Sequence, residues 1–143
     1  SRIWRRMMFL DASVILANLL EEPEAAAFRA SLAEEGRHAT SAIAMFEAST
    51  RLAVVKRLAI DRAYEVVCAF IDGAGVTVMP IGSEVGGAAH ACAARYHHLT
   101  GHPARLNMGD CFAYAAALTS GLKLAYNGND FVHTDIDGIR FGA

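Results

Sequence analysis

Two acidic residues follow largely apolar segments that have the character of buried strands. Asp11 comes directly after the segment 8–10, and Asp130 follows the segment 122–126 through an Asn–Gly–Asn turn. In open α/β sheets, ligands bind beyond the carboxyl ends of the strands. Asp11 is therefore either part of a ligand site or the N-cap of a helix that begins at Ala12. Asp130 is either part of the same site or one of the acids that commonly form turns.

A third carboxylate, that of Glu47, lies on a helix predicted over residues 42–57. We predict that the apolar stripe of this helix is formed by Ile43, Phe46, Thr50 and Val54. Glu47 follows Ile43 by four residues and lies beside that stripe, which indicates a carboxylate turned towards the protein. The alternative is an ion pair with Arg51, which stabilises a helix by only ~0.2–0.5 kcal/mol.

The fourth carboxylate, that of Asp110, lies in the first turn of a helix predicted over residues 109–119. The residues one and two turns later are predicted to form the buried face of this helix: Ala113, Tyr114, Ala117 and Leu118. Asp110 therefore lies on the core side. Its interaction with the helix dipole, worth ~0.3–1 kcal/mol, explains an acid in the first turn but not an acid on an apolar face.

These four carboxylates can share one site, because two follow strands and two lie on helices that face the sheet. Clustered carboxylates repel and raise one another's pKa unless a cation neutralises them. Carboxylate and water oxygens are the ligands that Mg²⁺ and Mn²⁺ prefer. A metal ion held in this way activates water and stabilises the charge on a phosphate during its displacement.

Short strands alternate with helices along the chain, which favours a parallel α/β sheet with helices on both faces. Strands are predicted over residues 8–10, 38–41, 76–81, 122–126 and 139–141, the last at an edge of the sheet. Helices are predicted over residues 12–20, 23–35, 42–57, 61–71, 84–96 and 109–119, and residues 97–107 are predicted to form a loop.

The 143 residues fit one domain, which we place at residues 7–143, with residues 1–6 as an upstream segment outside it. A hydrophobic fraction of 54% excludes intrinsic disorder. A net charge of −2 excludes a strongly basic protein that coats nucleic acid. No segment has the ~20 apolar residues of a membrane span. The three cysteines form no CxxC pair and indicate free thiols, so we expect a cytoplasmic protein.

Four segments carry a family resemblance: MFLDAS at residues 8–13, FEA at 46–48, LNMGDCFAYA at 106–115 and NDFVHTDI at 129–136. On these segments the chain resembles the PIN-domain family, in particular the VapC-type toxins of bacterial toxin–antitoxin pairs. The resemblance implies a three-layer α/β/α fold with a short, mainly parallel central sheet. It also implies an endoribonuclease that depends on Mg²⁺ or Mn²⁺, forms a homodimer and is inhibited by a cognate antitoxin.

The resemblance also implies a role for each acid. Asp11 and Asp110 match direct metal ligands. Glu47 and Asp130 match residues that bind the metal through water or activate that water. Two further residues are expected to support the site: Ser13 and Asp135.

The expected partners are RNA and the antitoxin. Three basic residues of the third helix either hold phosphate oxygens or form a solvated face: Arg51, Lys56 and Arg57. The aromatic residues beside the acids are expected to pack in the core rather than stack on bases: Phe46, Phe112, Tyr114 and Phe131. The antitoxin is expected to insert an Arg or Lys towards the acids. Its apolar residues are expected to cover a groove between the first two helices, which offers Leu19, Leu20 and Phe28.

Three other interpretations are weaker. A zinc site at His97, His98 and His102 lacks both a fixed element to hold it and a nearby cysteine. A phosphoacceptor receiver domain needs paired acids after the first strand and a lysine at the end of a late strand. Here Asp11 has no acidic neighbour and Lys123 lies near the start of its strand. A non-catalytic PIN-fold binding domain is opposed by the presence of all four acids.

Overall fold

The structure, a computed structural model, describes residues 7–34 and 36–143. The strands are β1 (Met8–Leu10), β2 (Ala39–Ser41), β3 (Thr77–Met79), β4 (Lys123–Asn127) and β5 (Gly138–Gly142). The helices are α1 (Ala12–Leu19), α2 (Ala25–Ala33), α3 (Ala42–Lys56), α4 (Ile60–Gly73), α5 (Ser83–Tyr96) and α6 (Met108–Ser120), with a short 3₁₀ helix at His98–Thr100. The strands form one parallel sheet in the order β3-β2-β1-β4-β5.

The central strand β1 determines the layers of the fold. Its three residues are apolar and buried, as expected for a strand covered on both faces. Phe9 packs into the core that α5 and α6 cover, whereas Met8 and Leu10 pack into the core beneath α1 to α4. Side chains that alternate across the strand thus place helices on both faces of the sheet. The predicted three-layer α/β/α architecture with a parallel sheet is confirmed.

The ends of the elements differ from the predicted ones for local reasons. The third strand ends at Met79, because Pro80 has no N–H to donate to a neighbouring strand. The second helix begins at Ala25 rather than Pro23, and residue 35, its predicted end, lies outside the described residues. The predicted upstream segment 1–6 also lies outside them. No helix in the described part of the chain has the length and apolarity needed to cross a membrane.

The buried face of α3 differs from the predicted stripe. Phe46 and Val54 are 67% and 79% exposed. The residues of α3 that are buried are mostly small: Ala44, Met45, Ala48, Ser49, Leu52 and Ala53. These residues let α3 pack against both α1 and α4, because the side chains at a helix contact determine how closely the axes approach. The core prediction for Phe46 is therefore wrong, and so is that for Leu118 of α6, which is 56% exposed.

Candidate active site

Asp11 lies where β1 ends and α1 begins. It is the N-cap of α1, and its Oδ2 accepts hydrogen bonds from the Ser13 N–H at 3.1 Å and the Ser13 hydroxyl at 2.5 Å. Asp11 is only 5% exposed, and this burial raises the pKa of its carboxyl group, although the bonds from Ser13 act in the opposite direction. Asp11 is therefore the N-cap of α1, as one interpretation predicted. It also lies at the strand-end edge, where its part in a ligand site stays a prediction.

The Ser13 hydroxyl connects this carboxylate to the neighbouring strand. It donates to Asp11 and accepts a hydrogen bond from the backbone N–H of Asn127 at 3.0 Å. Asn127 is the last residue of β4 and begins the turn that leads to Asp130. One hydroxyl thus fixes the acid after β1 relative to the turn after β4.

Asp110 is held by a reciprocal pair of hydrogen bonds at the start of α6. Its Oδ2 accepts the Asn107 N–H at 3.0 Å, and its own N–H donates to the Asn107 side chain at 2.9 Å. These two bonds form a capping box, and Asp110 is only 5% exposed. Burial raises the pKa of Asp110 to about 7, and the charges of Asp130, Asp11 and Glu47 contribute to the increase.

Glu47 extends from α3 towards the same acids. Burial raises the pKa of Glu47, and the charges of Asp11 and Asp130 raise it further. The Arg51 guanidinium donates to Oε2 of Glu47 at 2.8 Å and lowers the pKa. The ion pair predicted as the alternative is therefore present, and it coexists with a carboxylate that faces the other acids.

Asp130 is exposed, and its turn is held by groups distant in sequence. Arg140 of β5 donates from Nε to the Gly128 carbonyl at 2.8 Å and from its guanidinium to the Asn129 side chain. The Gly128 N–H donates to the Gly142 carbonyl at 2.8 Å. The turn thus holds Asp130 near the three other acids. The charge of Asp130 raises the pKa values of those acids.

Comparisons with known proteins identify the family of this chain. The sequence profile of the PIN domain family matches residues 8–137, which include all four acids. The chain belongs to the PIN domain family. It is 41% identical over 141 residues to the VapC ribonuclease R02377 of Rhizobium meliloti, an alignment that covers 91% of this chain and 99% of that protein. It is 35% identical over 129 residues to Ribonuclease VapC28 of Mycobacterium tuberculosis, with coverages of 90% and 95%.

Solved structures support the fold of this PIN domain. VapC20 of Mycobacterium tuberculosis, described as a sarcin–ricin loop cleaving toxin, superposes with a TM-score of 0.67 at 19% identity and covers 93% of this chain and 98% of that one. VapBC-1 of nontypeable Haemophilus influenzae superposes with a TM-score of 0.66 at 16% identity, with coverages of 94% and 98%. At such identities, the similarity concerns the fold alone.

The donor set of this PIN domain suits a hard divalent cation with many water ligands. Within residues 7–34 and 36–143, no three His, Cys, Asp or Glu side chains are grouped so that they could hold a metal ion by themselves. Mg²⁺ commonly binds through one or two carboxylates and keeps several waters. Neighbouring acids raise the pKa values of Asp11, Glu47 and Asp110, whereas Arg51 lowers those of Asp11 and Glu47 only, and a bound cation would add positive charge at the acids. The residues therefore fit a hydrated divalent cation.

Asp135 contacts residues of α5 and α6. It accepts hydrogen bonds from the Tyr114 hydroxyl at 2.5 Å and from Arg95 at 3.1 Å, and its N–H donates to the Tyr96 hydroxyl at 3.3 Å. The bond from Tyr114, followed by those from Arg95 and Tyr96, lowers the pKa of Asp135. These contacts fix the segment that follows Asp130 against α5 and α6.

Sequence reasoning missed two residues that position the acids, Arg140 and Asn107. Arg140 lies on a predicted edge strand, and nothing in its neighbourhood along the chain indicates a contact twelve residues away. Asn107 lies in the predicted loop 97–107, although an Asn followed three residues later by an Asp is a recognisable capping signal. The basic residues Lys56 and Arg57 lie at the carboxyl end of α3, beyond the pair formed by Arg51.

Proposed function

We propose that this PIN domain is an endoribonuclease toxin that hydrolyses RNA phosphodiester bonds with the help of Mg²⁺ or Mn²⁺. The observation that carries the proposal is the cluster of Asp11, Glu47, Asp110 and Asp130 at the carboxyl edge of the sheet. Two of these acids, Asp11 and Asp110, are buried, and their pKa values are raised by burial and by the charges of neighbouring acids, Asp130 among them. Relatives named as VapC ribonucleases support RNA as the substrate.

Each acid has a proposed role in this reaction. Asp11 and Asp110 bind the cation directly, because their carboxylates are fixed by Ser13 and Asn107 and need little reorganisation. Glu47 and Asp130 hold and orient the water that attacks the phosphate. A bound divalent cation supplies the positive charge that lowers the pKa of water and stabilises the phosphate.

Basic residues of α3 are proposed to bind the RNA substrate. Arg51 already lies beside Glu47 and can donate to a phosphate oxygen from its remaining N–H groups. Lys56 and Arg57 continue the same helix towards solvent. We assign them to phosphate contacts, which position the substrate without reading its sequence.

Replacing Ser13 by alanine should weaken both the fold and the reaction. The Asn127 N–H loses its acceptor, so we expect the free energy of unfolding to fall by about 1–2 kcal/mol. Asp11 also loses its orienting hydroxyl, and RNA cleavage should slow about 10-fold or more. Urea denaturation and a cleavage assay measure the two effects. Ser120→Ala, which removes a hydroxyl bonded to Ala116 at the far end of α6, is the control and should leave cleavage unchanged. Equal cleavage by the two variants would contradict the role of Ser13.

We propose that an antitoxin inhibits this activity and that the chain forms a homodimer. The structure neighbours include VapBC-1 and a toxin–antitoxin complex from Klebsiella pneumoniae, the latter with a TM-score of 0.61 at 17% identity and coverages of 95%. An Arg or Lys in the antitoxin tail would replace the charge of the metal at the acids. The prediction that the antitoxin contacts Phe28 in a groove between the first two helices is wrong. Phe28 is buried against Phe70 and Phe141 and cannot contact a partner.

The experiment that tests the function expresses the chain with and without the product of the neighbouring gene. New RNA ends that appear only without the neighbour, and that sequencing maps to defined positions, support an RNA-cleaving toxin under antitoxin control. Truncating the basic tail of the neighbour should restore cleavage. Light scattering of the purified chain tests the homodimer, for which we expect twice the mass of one chain. The absence of new RNA ends from a folded, metal-supplied protein would contradict the proposal.

A further inference from the structure

Gly109 lies directly against the carboxylate of Glu47. It is the second residue of α6 and precedes Asp110. A Cβ atom added to Gly109 would lie 2.7 Å from Oε1 of Glu47, 3.1 Å from its Cδ and 3.2 Å from its Oε2. Real Cβ atoms do not approach other atoms as closely as 2.7 Å, so any side chain at position 109 displaces the Glu47 carboxylate.

The backbone does not explain a glycine at this position. The glycines with positive φ lie elsewhere, for example Gly121 at the end of α6 and Gly128 in the turn before Asp130. Gly109 is instead helical, a conformation in which glycine is less stable than alanine. The feature that requires a residue without a side chain at this position is therefore the contact with Glu47.

We propose that Gly109 is a positioning residue, whose bare Cα leaves the space in which the Glu47 carboxylate lies beside Asp110. The inference rests on the proposed function, since it assigns Gly109 to the same reaction. All three atoms that the added Cβ would meet belong to the end of a flexible side chain. An alanine at position 109 therefore moves this carboxylate and leaves the backbone of α6 in place. The same movement disturbs the contact between Glu47 and Arg51, which measures 2.8 Å.

The test is Gly109→Ala, with Gly87→Ala as its matched control. Gly87 lies in α5, and a Cβ added there meets nothing within 4 Å. Both changes place alanine in a helix, so both should leave the melting temperature unchanged or higher. We expect Gly109→Ala alone to slow RNA cleavage by about 10- to 100-fold, because small displacements of a catalytic group have effects of this size. We also expect it to weaken Mn²⁺ binding in titration calorimetry by about 10-fold.

A double-mutant cycle with Glu47→Asp separates positioning from general damage. Aspartate is one methylene shorter and withdraws the carboxylate from position 109. If positioning is the role of Gly109, then Gly109→Ala should cost little further activity in the Glu47→Asp background. Fully additive losses would overturn the inference. So would wild-type cleavage and Mn²⁺ binding in Gly109→Ala, or a large fall in its melting temperature.

The metal measurement also separates this inference from the proposed function. If the wild type binds Mn²⁺ but cleaves no RNA, the proposed function fails. Weaker Mn²⁺ binding by Gly109→Ala, with normal binding by Gly87→Ala, would then still support the positioning role. Equal Mn²⁺ binding by all three proteins would overturn it.

Discussion

The Asp110→Asn variant should lose RNA cleavage by about 100-fold or more and, without divalent cations, should be more stable than the wild type. The loss follows because metal-ion stabilisation of transition-state charge is worth several kcal/mol, and each 1.4 kcal/mol is tenfold in rate. The gain in stability follows because Asp110 is a buried carboxylate surrounded by three other acids. Asparagine removes that charge while its side-chain oxygen still accepts the Asn107 N–H.

This prediction is tested by comparing two Asp→Asn changes. Asp61→Asn is the control, because Asp61 is exposed in the first turn of α4 and makes no contact with the four acids in the described structure. Cleavage rates with Mn²⁺ and urea denaturation with EDTA are measured for both variants and the wild type. An Asp110→Asn protein that cleaves RNA within twofold of the wild-type rate would place Asp110 outside the active site.

The stability of the metal-free protein should fall as the pH rises from 5 to 8. The pKa of Asp110 is about 7 in the folded protein, against an ordinary value of 3.8. The folded protein therefore holds a proton that the unfolded chain has released, and this stabilises the fold at low pH. The contribution is fully present below pH 4 and is lost as the pH rises through about 7. Its size is on the order of 4 kcal/mol, since the folded and unfolded pKa values differ by about 3 and one pKa unit corresponds to 1.36 kcal/mol.

Urea denaturation in EDTA at pH 5, 6, 7 and 8 measures this dependence. Burial lowers the pKa of His38, which acts in the opposite direction because it makes the protein less stable at low pH. Subtracting the curve of Asp110→Asn removes the contribution of His38, which both proteins share. We expect the difference between the curves to grow with pH, and Mn²⁺ added at pH 8 should restore stability to the wild type only. Parallel curves for the two proteins would contradict the pKa of Asp110.

The strand-end acids could be predicted from the sequence because local patterns determine them. A short apolar strand followed by Asp11, and another followed by the turn to Asp130, place both acids at one edge once the sheet is parallel. The capping role of Asp11 can also be predicted, since Asp11 lies directly before a helix and accepts a backbone N–H.

Other parts of the site depend on packing between distant segments, which no local sequence pattern predicts. Glu47 was predicted on the protein side of its helix, but by a stripe that contained the exposed Phe46 and Val54. Periodicity predicts the spacing of the residues on a buried face, but not which face of the helix is buried. The predicted face of α3 contains large side chains that are exposed. The buried face is formed mostly by small residues, which allow α3 to approach α1 and α4. Gly109 and Arg140 contact residues that are distant in sequence, so their roles can be inferred only from the contacts in the structure.

The most direct test of the account measures RNA cleavage by the purified chain against Mn²⁺ concentration, with EDTA and zinc as the other conditions. The account predicts no cleavage in EDTA, cleavage that rises and saturates with Mn²⁺ or Mg²⁺, and a requirement for Asp11 and Asp110. Cleavage that persists in EDTA, or that needs zinc and is abolished by changing His97, His98 and His102, would contradict it.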